Sequence, residues 1–350
     1  MNALESQLSY PFGDAIPPLG TTADVAAGLS WLRMPLPFAL DHINLWLLDD
    51  TEGARRGWSL VDCGAGTDAT RAAWERLFAE AMDNKPLLRV LATHCHPDHV
   101  GLSGWLCDRF GAPFWTSTGE FGFARMMAAA LPGVDGPSAV PHFQRHGLVD
   151  PGLLEQMQSR KNYYPSLVPS VPAAYTRLQD GQQVTIGART WRVITGFGHS
   201  PEHVSLYDAR NHVLISGDMV LPRISTNVSV FAFEPDGNPL QLYLDSLGKF
   251  ADLPEDTLVL PSHGKPFRGL HTRIAQLRDH HAARLEEVRA ACARPVSAMD
   301  IVPLMFKRQL DAHQLSFAIG EALAHLHALW YAGKLGRVTD ADGVIRFELN

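Results

Sequence analysis

Thr93-His94-Cys95-His96-Pro97-Asp98-His99 is the stretch that decides the fold of this chain of 350 residues. It follows the apolar run 87–93, which is typical of a buried strand, so its polar side chains fall at the turn where that strand ends. Imidazole nitrogens and carboxylate oxygens are ligands that Zn²⁺ and similar cations take. On such a turn the three histidines and the aspartate can converge, and we interpret them as metal ligands rather than as a solvated histidine run.

Three later residues have a similar position relative to a predicted strand. His199, Asp218 and His263 each come shortly after an apolar run and close to a glycine or a proline. Loops at strand ends commonly build functional sites at one edge of a layered domain. Each of these residues alone is weak evidence, because a single histidine at a strand end is more often structural. Together with the 94–99 motif they predict one site.

Apolar runs and helical patterns alternate along the chain, which predicts an α/β domain. The predicted strands are 43–49, 57–64, 87–94 and 112–117 in a first block and 183–194, 204–208, 212–216 and 257–260 in a second. The turn at 186–188 indicates a hairpin, and the apolar residues of 270–288 recur at the spacing of an amphipathic helix. Two packed sheets with helices on both outer faces satisfy this pattern.

The remaining segments predict the domain organisation. Residues 1–30 are expected to form an irregular N-terminal arm, and residues 31–292 the main domain. Residues 118–178 interrupt the strand pattern with helices and loops, as an active-site lid does. Residues 295–350 show two helical patterns and a hairpin, which predicts a small winged-helix-like C-terminal domain. Because its net charge is −1, we expect it to pack on the main domain or form a homodimer rather than bind DNA.

The motifs carry a family resemblance. HCHPDH at 94–99 resembles the H-x-H-x-D-H motif of the metallo-β-lactamase fold, and the later motifs GHSPEH at 198–203, GD at 217–218 and SHG at 262–264 also match that family's order. The order and spacing are similar to those of the branch that includes the hydroxyacylglutathione hydrolases. The resemblance covers about residues 31–292 and implies an αββα sandwich with two metal ions at the edge of its sheets.

The resemblance also implies a role for each ligand. By the matching positions, His94, His96 and His199 would hold the first metal, Asp98, His99 and His263 the second, and Asp218 would bridge the two. Asp98 is in addition the expected catalytic residue, which orients the nucleophile. Asp218 in place of a cysteine separates the chain from the antibiotic-degrading lactamases. We expect two divalent cations per chain, Zn²⁺ as first choice and Fe or Mn as alternatives.

Other polar side chains near the motifs are candidates for supporting roles. The candidates for substrate contact, which lie in the insertion or on loops near the motifs, are Tyr163, Tyr164, Arg223, Asn227 and Arg268. Asp62 and His203 are candidates for holding metal ligands in place by hydrogen bonds.

Composition narrows the class of protein. With 46% hydrophobic and 19% charged residues, the chain predicts a folded protein with a sizeable core. Its net charge of −7 argues against a protein that coats nucleic acid. No apolar run reaches the roughly 18 residues of a membrane-spanning helix, and the first residues lack a signal-peptide pattern. The four cysteines form no C-x-x-C pair, so we expect a reduced cytoplasmic protein.

These observations favour a dinuclear metal-dependent hydrolase, in which a hydroxide bridging the cations attacks a small ester-type substrate. A thioester is the substrate that we expect first. A ribonuclease or phosphodiesterase with the same cations is the main alternative, and a lactonase is another. The low positive charge of the C-terminal region disfavours a DNA-binding regulator. A persulfide dioxygenase would need only a single iron, so the complete ligand set disfavours it.

Overall fold

Two β-sheets stacked face to face form the centre of the computed structural model, which describes residues 4–38, 40–82, 85–131, 133, 136–159 and 162–350. The larger sheet has its strands in chain order: β1 (Thr22–Ala26), β2 (Leu29–Pro35), β3 (His42–Glu52), β4 (Arg55–Val61), β5 (Leu87–Leu91), β6 (Phe114–Thr116) and β7 (Thr176–Arg177). The smaller sheet, in the order β12-β11-β10-β9-β8, consists of β8 (Gln183–Ile186), β9 (Arg189–Gly196), β10 (His203–Asp208), β11 (Val213–Gly217) and β12 (Leu258–Pro261).

Large apolar side chains fill the space between the sheets. Trp31 and Trp46 of the larger sheet belong to the same buried cluster as Trp191 and Leu206 of the smaller one. The indole rings of Trp31 and Trp46 stack with their centroids 6.3 Å apart. Because burial of one such apolar side chain contributes about 1.5–3 kcal/mol, this layer fixes how the sheets lie and therefore where their edge loops meet.

Helices cover both outer faces of the sandwich. The α-helices of the described residues are α1 (Asp68–Glu80), α2 (Pro97–Val100), α3 (Ser103–Phe110), α4 (Thr118–Ala128), α5 (Gly136–Arg145), α6 (Pro151–Ser159), α7 (Tyr164–Leu167), α8 (Pro239–Gly248), α9 (Leu270–Ala291), α10 (Ala298–Met305) and α11 (Ala312–Tyr331). Trp74 of α1 and Leu106 of α3 pack on the larger sheet. Tyr243 of α8 and Leu277 of α9 pack on the smaller sheet. The predicted αββα sandwich is confirmed.

The N-terminal stretch 1–30 differs from the expected irregular arm. It contains β1, and β2 begins inside it at Leu29, so the two strands form an antiparallel pair at the edge of the larger sheet. Gly28, at a φ of +68°, occupies the turn between them in a conformation that side chains with a Cβ rarely adopt. The hairpin expected at 186–188 is confirmed, because β8 and β9 pair in antiparallel fashion on either side of Gly187.

The C-terminal region shows the expected order of two helices followed by a hairpin, which is formed by β13 (Leu335–Thr339) and β14 (Ile345–Leu349). Leu315, Ile319 and Leu323 form the buried face of α11 and share one core cluster with α8 and α9. The region therefore packs on the main domain of its own chain. Its winged-helix nature and a homodimer stay predictions. In the part of the chain that the structure describes, no helix combines the length and hydropathy needed to cross a membrane.

The insertion 118–178 joins this packing. Its helices α4 to α7 lie between β6 and β7 in the sequence, and Met157 of α6 is buried in the same cluster as Met305 of α10. The backbone N–H of Met299 donates to the carbonyl of His146 at 3.1 Å. Ala124 of α4 and Tyr164 of α7 are buried in the core cluster of the larger sheet. The insertion thus contacts both the larger sheet and the C-terminal helices.

Candidate metal centre

The ends of four strands bring the predicted ligands together at one edge of the sandwich. His94 and His96 follow β5, His99 lies in α2, His199 follows β9, Asp218 follows β11 and His263 follows β12. In the smaller sheet β10 is antiparallel to both β9 and β11, and β11 is parallel to β12, so the loops that follow β9, β11 and β12 leave at the same edge. All seven predicted ligands fall into groups whose ligand atoms lie within 4.8 Å of one another.

The first group holds three imidazoles. The Nε2 atom of His94 lies 2.9 Å from Nδ1 of His96 and 3.2 Å from Nε2 of His199. Metal–nitrogen bonds of about 2.0–2.1 Å in a tetrahedron put neighbouring ligand atoms ~3.3 Å apart. These separations therefore fit three ligands of one cation, as expected for the first metal.

The second group combines a carboxylate with two imidazoles. Oδ2 of Asp98 lies 3.4 Å from Nε2 of His263 and 3.6 Å from Nε2 of His99. These distances also fit ligands of a single cation. Asp98, His99 and His263 are thus placed as predicted for the second metal.

Asp218 faces both groups. Its Oδ2 lies 3.5 Å from Nε2 of His199, while its Oδ1 lies 3.6 Å from Nε2 of His263 and 3.8 Å from Nε2 of His99. A carboxylate with one oxygen toward each set of imidazoles has the geometry of a bridging ligand. This arrangement supports the bridging role expected of Asp218.

The ligand atoms are arranged to coordinate a pair of cations rather than to form hydrogen bonds with one another. Nε2 of His99 and Oδ1 of Asp218 are buried without a hydrogen-bond partner. Buried polar atoms are rarely left unsatisfied, and these two, which lie 3.8 Å apart, fit the donor set of a cation that both would coordinate. Burial alone would lower the pKa of His99, but the carboxylates of Asp98, Asp62 and Asp218 outweigh it and raise that pKa to about 9. The carboxylates therefore favour positive charge here.

The opposite ring nitrogens of the histidines are held by fixed acceptors. Nδ1 of His99 lies 2.9 Å from Oδ2 of Asp62, Nδ1 of His199 lies 2.7 Å from the carbonyl of Asn227, and Nδ1 of His263 lies 2.9 Å from the carbonyl of His42. A proton on Nδ1 leaves Nε2 as the metal-binding atom. These contacts orient three rings before any metal binds.

Asp62 and His203 both contact predicted metal ligands. The Asp62 carboxylate accepts from the backbone N–H of Thr93 at 2.7 Å in addition to its contact with His99. The backbone of Asp62 has a left-handed conformation, with a φ of +64°. Nε2 of His203 accepts from the backbone N–H of Asp218 at 3.1 Å. Asp62 thus positions the loop after β5, and His203 positions the bridging carboxylate.

The family comparison agrees with this geometry. Residues 40–263 match the model of the metallo-beta-lactamase superfamily, and residues 285–350 match the metallo-beta-lactamase-like C-terminal domain. The chain belongs to the metallo-beta-lactamase superfamily. A crystal structure of a beta-lactamase domain protein from Burkholderia ambifaria is similar to the chain, with 58% identity, a TM-score of 0.94 and full coverage of both chains.

Two further proteins are similar to the chain at lower identity. The chain is 26% identical to the probable metallo-hydrolase YqjP of Bacillus subtilis over 323 residues, which cover 88% of this chain and 93% of that protein. It is 28% identical to the acyl-coenzyme A thioesterase MBLAC2 of Gallus gallus over 200 residues, which cover 56% of this chain and 64% of that protein. The resemblance to the superfamily is thereby confirmed, while the hydroxyacylglutathione hydrolase-like branch stays a prediction.

Two of the five candidates for substrate contact are not placed as expected of such contacts. Tyr164 is buried, and its hydroxyl donates to the carbonyl of Cys95, so it supports the backbone between the predicted ligands His94 and His96. Arg268 donates to the carbonyl of Asp256, just before β12 begins, whereas His263 follows the end of that strand. Neither position follows from local sequence, because both depend on which distant segment the side chain meets.

Of the other three candidates for substrate contact, two have a contact with α11 and one is exposed. The Tyr163 ring lies edge-on to His313 of α11 with 5.4 Å between ring centroids. Asn227 supports His199 through its carbonyl, and its side-chain amide donates to Glu321 of α11 at 3.4 Å. Arg223 is exposed on the loop after β11, and its contact with substrate stays a prediction.

Glu120 is a supporting residue that the sequence reasoning missed. It is buried in α4, where Oε2 accepts from the backbone N–H of Cys95 at 2.8 Å and Oε1 accepts from Ser200 Oγ at 2.6 Å and from Glu202 N at 2.7 Å. One carboxylate therefore ties the loop of His94 and His96 to the loop of His199. Its only local signal is the Ser117-x-x-Glu120 spacing, which predicts a capping box rather than a link between distant loops.

Glu321 is also outside the sequence prediction, and its environment gives a test by pH. Burial raises its pKa from 4.5 to about 7, although Arg284 and the Asn227 amide act in the opposite direction. Where folding raises the pKa of a carboxyl, the folded protein loses stability as the pH rises from the pKa in the unfolded state to the pKa in the folded state. Glu321→Gln is therefore expected to raise Tm by a few °C at pH 8 and to change it little at pH 5.

The control is Glu155→Gln on the exposed face of α6, which we expect to be neutral at both pH values. Thermal unfolding of the metal-free proteins, followed by circular dichroism, measures the difference at both pH values without a contribution from metal release. An equal change of Tm for Glu321→Gln at pH 5 and pH 8 would show that Glu321 is not held as a buried neutral acid.

Proposed function

We propose that this member of the metallo-beta-lactamase superfamily is a dinuclear metal-dependent hydrolase that acts on small ester-type substrates, with thioesters as the preferred class. The carrying observation is Asp218, whose two oxygens face two complete ligand groups at 3.5–3.8 Å. Among similar proteins, one is a probable metallo-hydrolase and one is an acyl-coenzyme A thioesterase.

The residues present fit two divalent cations. Zn²⁺ is the proposed metal because histidine nitrogens and aspartate oxygens at these separations are its usual ligands, and Fe or Mn are the alternatives. When bound, the cations would activate water and polarise the scissile carbonyl as Lewis acids. The chain itself supplies the positions: His94, His96 and His199 on one side and Asp98, His99 and His263 on the other.

Asp98 is the proposed catalytic residue. Burial would raise the pKa of its carboxyl, but His99 and His263 outweigh burial and lower that pKa to about 2. Asp98 is therefore an ionised acceptor at neutral pH, and it can orient an attacking water beside the second group of ligands. A thiolate leaving group needs little help from a general acid, which suits a site in which we assign no further acid.

The charge near the site favours an acyl substrate over a polynucleotide. The insertion 118–178 carries a net charge of only +1, whereas a groove that follows a nucleic-acid backbone needs a continuous basic surface. The insertion instead contributes many apolar side chains, including Phe121, Phe123 and Met127 beside the larger sheet. Apolar walls of this kind are typical of pockets for small organic ligands.

A side-by-side comparison of kcat/KM at fixed salt tests this choice. Thioesters or lactones are expected to exceed RNA and simple phosphodiesters by at least about tenfold, which corresponds to roughly 1.4 kcal/mol in transition-state binding. The Asp98→Asn variant assayed with each substrate shows whether a weak activity comes from the same site. Faster, salt-sensitive cleavage of RNA would overturn the proposal in favour of a ribonuclease or phosphodiesterase.

A further inference from the structure

Two groups of aromatic rings are joined by short segments to residues that support the predicted metal ligands, and one of these groups is partly exposed to solvent. Phe231 and Phe233 are 37% and 41% exposed, and their rings stack with centroids 5.2 Å apart. Phe233 also lies 5.0 Å from Phe123 of α4. Exposed clusters of large apolar side chains are unusual on a soluble surface and commonly mark a binding site.

Helical spacing connects this exposed group to the metal loops. Phe123 is three residues after Glu120 in α4 and therefore shares its face of the helix. Glu120 hydrogen-bonds to the backbone of Cys95, between the ligands His94 and His96. On the other side, Phe231 is four residues after Asn227, whose carbonyl holds His199, so at most about 14 Å of chain separates them.

The second group involves the C-terminal helix. Tyr163, His313 and Phe317 form a row in which successive ring centroids are 5.4 and 5.0 Å apart. Phe317 precedes Glu321 by four residues in α11, so it shares the face whose carboxyl contacts Asn227. Tyr163 is adjacent to Tyr164, whose hydroxyl contacts the Cys95 carbonyl.

Both groups are thus anchored at the same two places, the Cys95 backbone and Asn227, which support the ligands of the first metal. We propose that these six side chains form an aromatic collar that binds the apolar acyl group of the substrate. We define the aromatic collar as Phe123, Tyr163, Phe231, Phe233, His313 and Phe317. This inference rests on the proposed esterase function and deepens it, because it names the substrates as thioesters or esters with an alkyl or aryl acyl group. It also gives α11 of the C-terminal region a direct role in substrate choice.

The acyl group is the occupant that the position of the collar favours. A carbonyl carbon at the metal centre leaves its acyl chain to extend past the surrounding walls, and the collar supplies aromatic walls next to the first ligand group. Aromatic faces bind alkyl and aryl groups with little loss of side-chain entropy, because their rings have only two rotatable bonds. Each methylene transferred from water to such a surface favours binding by about threefold to fourfold.

The test measures kcat/KM of the metal-loaded protein for acetyl, butanoyl, hexanoyl and octanoyl thioesters of one common thiol. For the parent protein, kcat/KM is expected to rise about threefold per methylene, and for Phe231→Ala/Phe233→Ala the octanoyl-to-acetyl ratio is expected to fall at least tenfold. Leu242→Ala removes a similarly exposed apolar side chain on α8 and is expected to leave the ratio unchanged. Both Phe231 and Phe233 are partly solvent-exposed, so the double variant removes little buried core.

A binding measurement separates this inference from the proposed function. Titration of octanoate into the metal-loaded protein, followed by calorimetry, is expected to show binding that weakens at least tenfold in the double variant. An equal chain-length dependence in parent and double variant would overturn the collar while leaving the esterase function intact. A change of oligomeric state in the double variant without a change in the ratio would overturn it too, because the rings would then form an interface between copies. Failure of the parent to hydrolyse any thioester or ester would instead overturn the proposed function.

Discussion

Asp98→Asn is expected to lower kcat/KM for the preferred ester-type substrate by at least about a hundredfold while the protein stays folded. The substitution removes the negative charge that lies 3.4 Å from His263 and 3.6 Å from His99, so it weakens the second ligand group and the orientation of the attacking water. Loss of one preorganised electrostatic contact in an active site commonly costs 10²–10³ in rate, about 2.7–4 kcal/mol. The substitution leaves the hydrophobic core unchanged, because Asp98 lies in α2 at the edge of the sandwich rather than between the sheets.

The measurement is kcat/KM for variant and parent at the same, saturating metal content, with circular dichroism to confirm the fold. Asp252→Asn is a suitable control, since that carboxylate is largely exposed on the surface beside Arg192. Activity of Asp98→Asn within a fewfold of the parent at full metal loading would show that Asp98 has no catalytic role.

Removal of the metal is expected to have an effect at least as large. Protein prepared without chelator should contain close to two equivalents of divalent metal per chain, because seven side chains form two groups of ligands. Dialysis against a chelator is expected to lower kcat/KM by about a thousandfold or more and to lower Tm, since a ligand that binds only the folded state stabilises it. Metal release should become steep below about pH 6, where imidazoles that are free of metal take up a proton.

Histidine variants test whether the bound metal occupies the predicted site. His263→Ala removes one ligand of the second group and is expected to lower the content from two equivalents toward one. His212→Ala removes a surface histidine that contacts Asp256 and should leave the content at two. Elemental analysis of the purified variants measures both. A parent protein that is fully active with one equivalent, and unchanged in metal content by His263→Ala, would contradict a dinuclear centre.

The metal ligands could be predicted from sequence because each signal is local. His94, His96, Asp98 and His99 share one turn, and the other three ligands each follow an apolar stretch that ends at glycine or proline. The alternation of apolar runs with helical patterns indicates two sheets with outer helices, since both periodicities are properties of short segments. β3 extends beyond the predicted strand 43–49 at both ends, whereas β4 begins before the predicted strand 57–64 and ends at Val61, because the pairing partner, and not propensity alone, decides where a strand ends.

The surroundings of the ligands depend on contacts between distant segments, and only the tertiary structure decided them. Tyr164 reaches Cys95 across 69 positions of sequence, Glu120 reaches Ser200 across 80, and Asn227 reaches Glu321 across 94. In sequence these are an aromatic residue, a capping glutamate and a helix-surface acid, each with an ordinary local explanation. Their partners are selected by how the sheets stack and where α11 packs. The sequence by itself therefore determined which atoms can bind metal, whereas the packing of buried side chains determined which residues hold those atoms in place and which rings surround them.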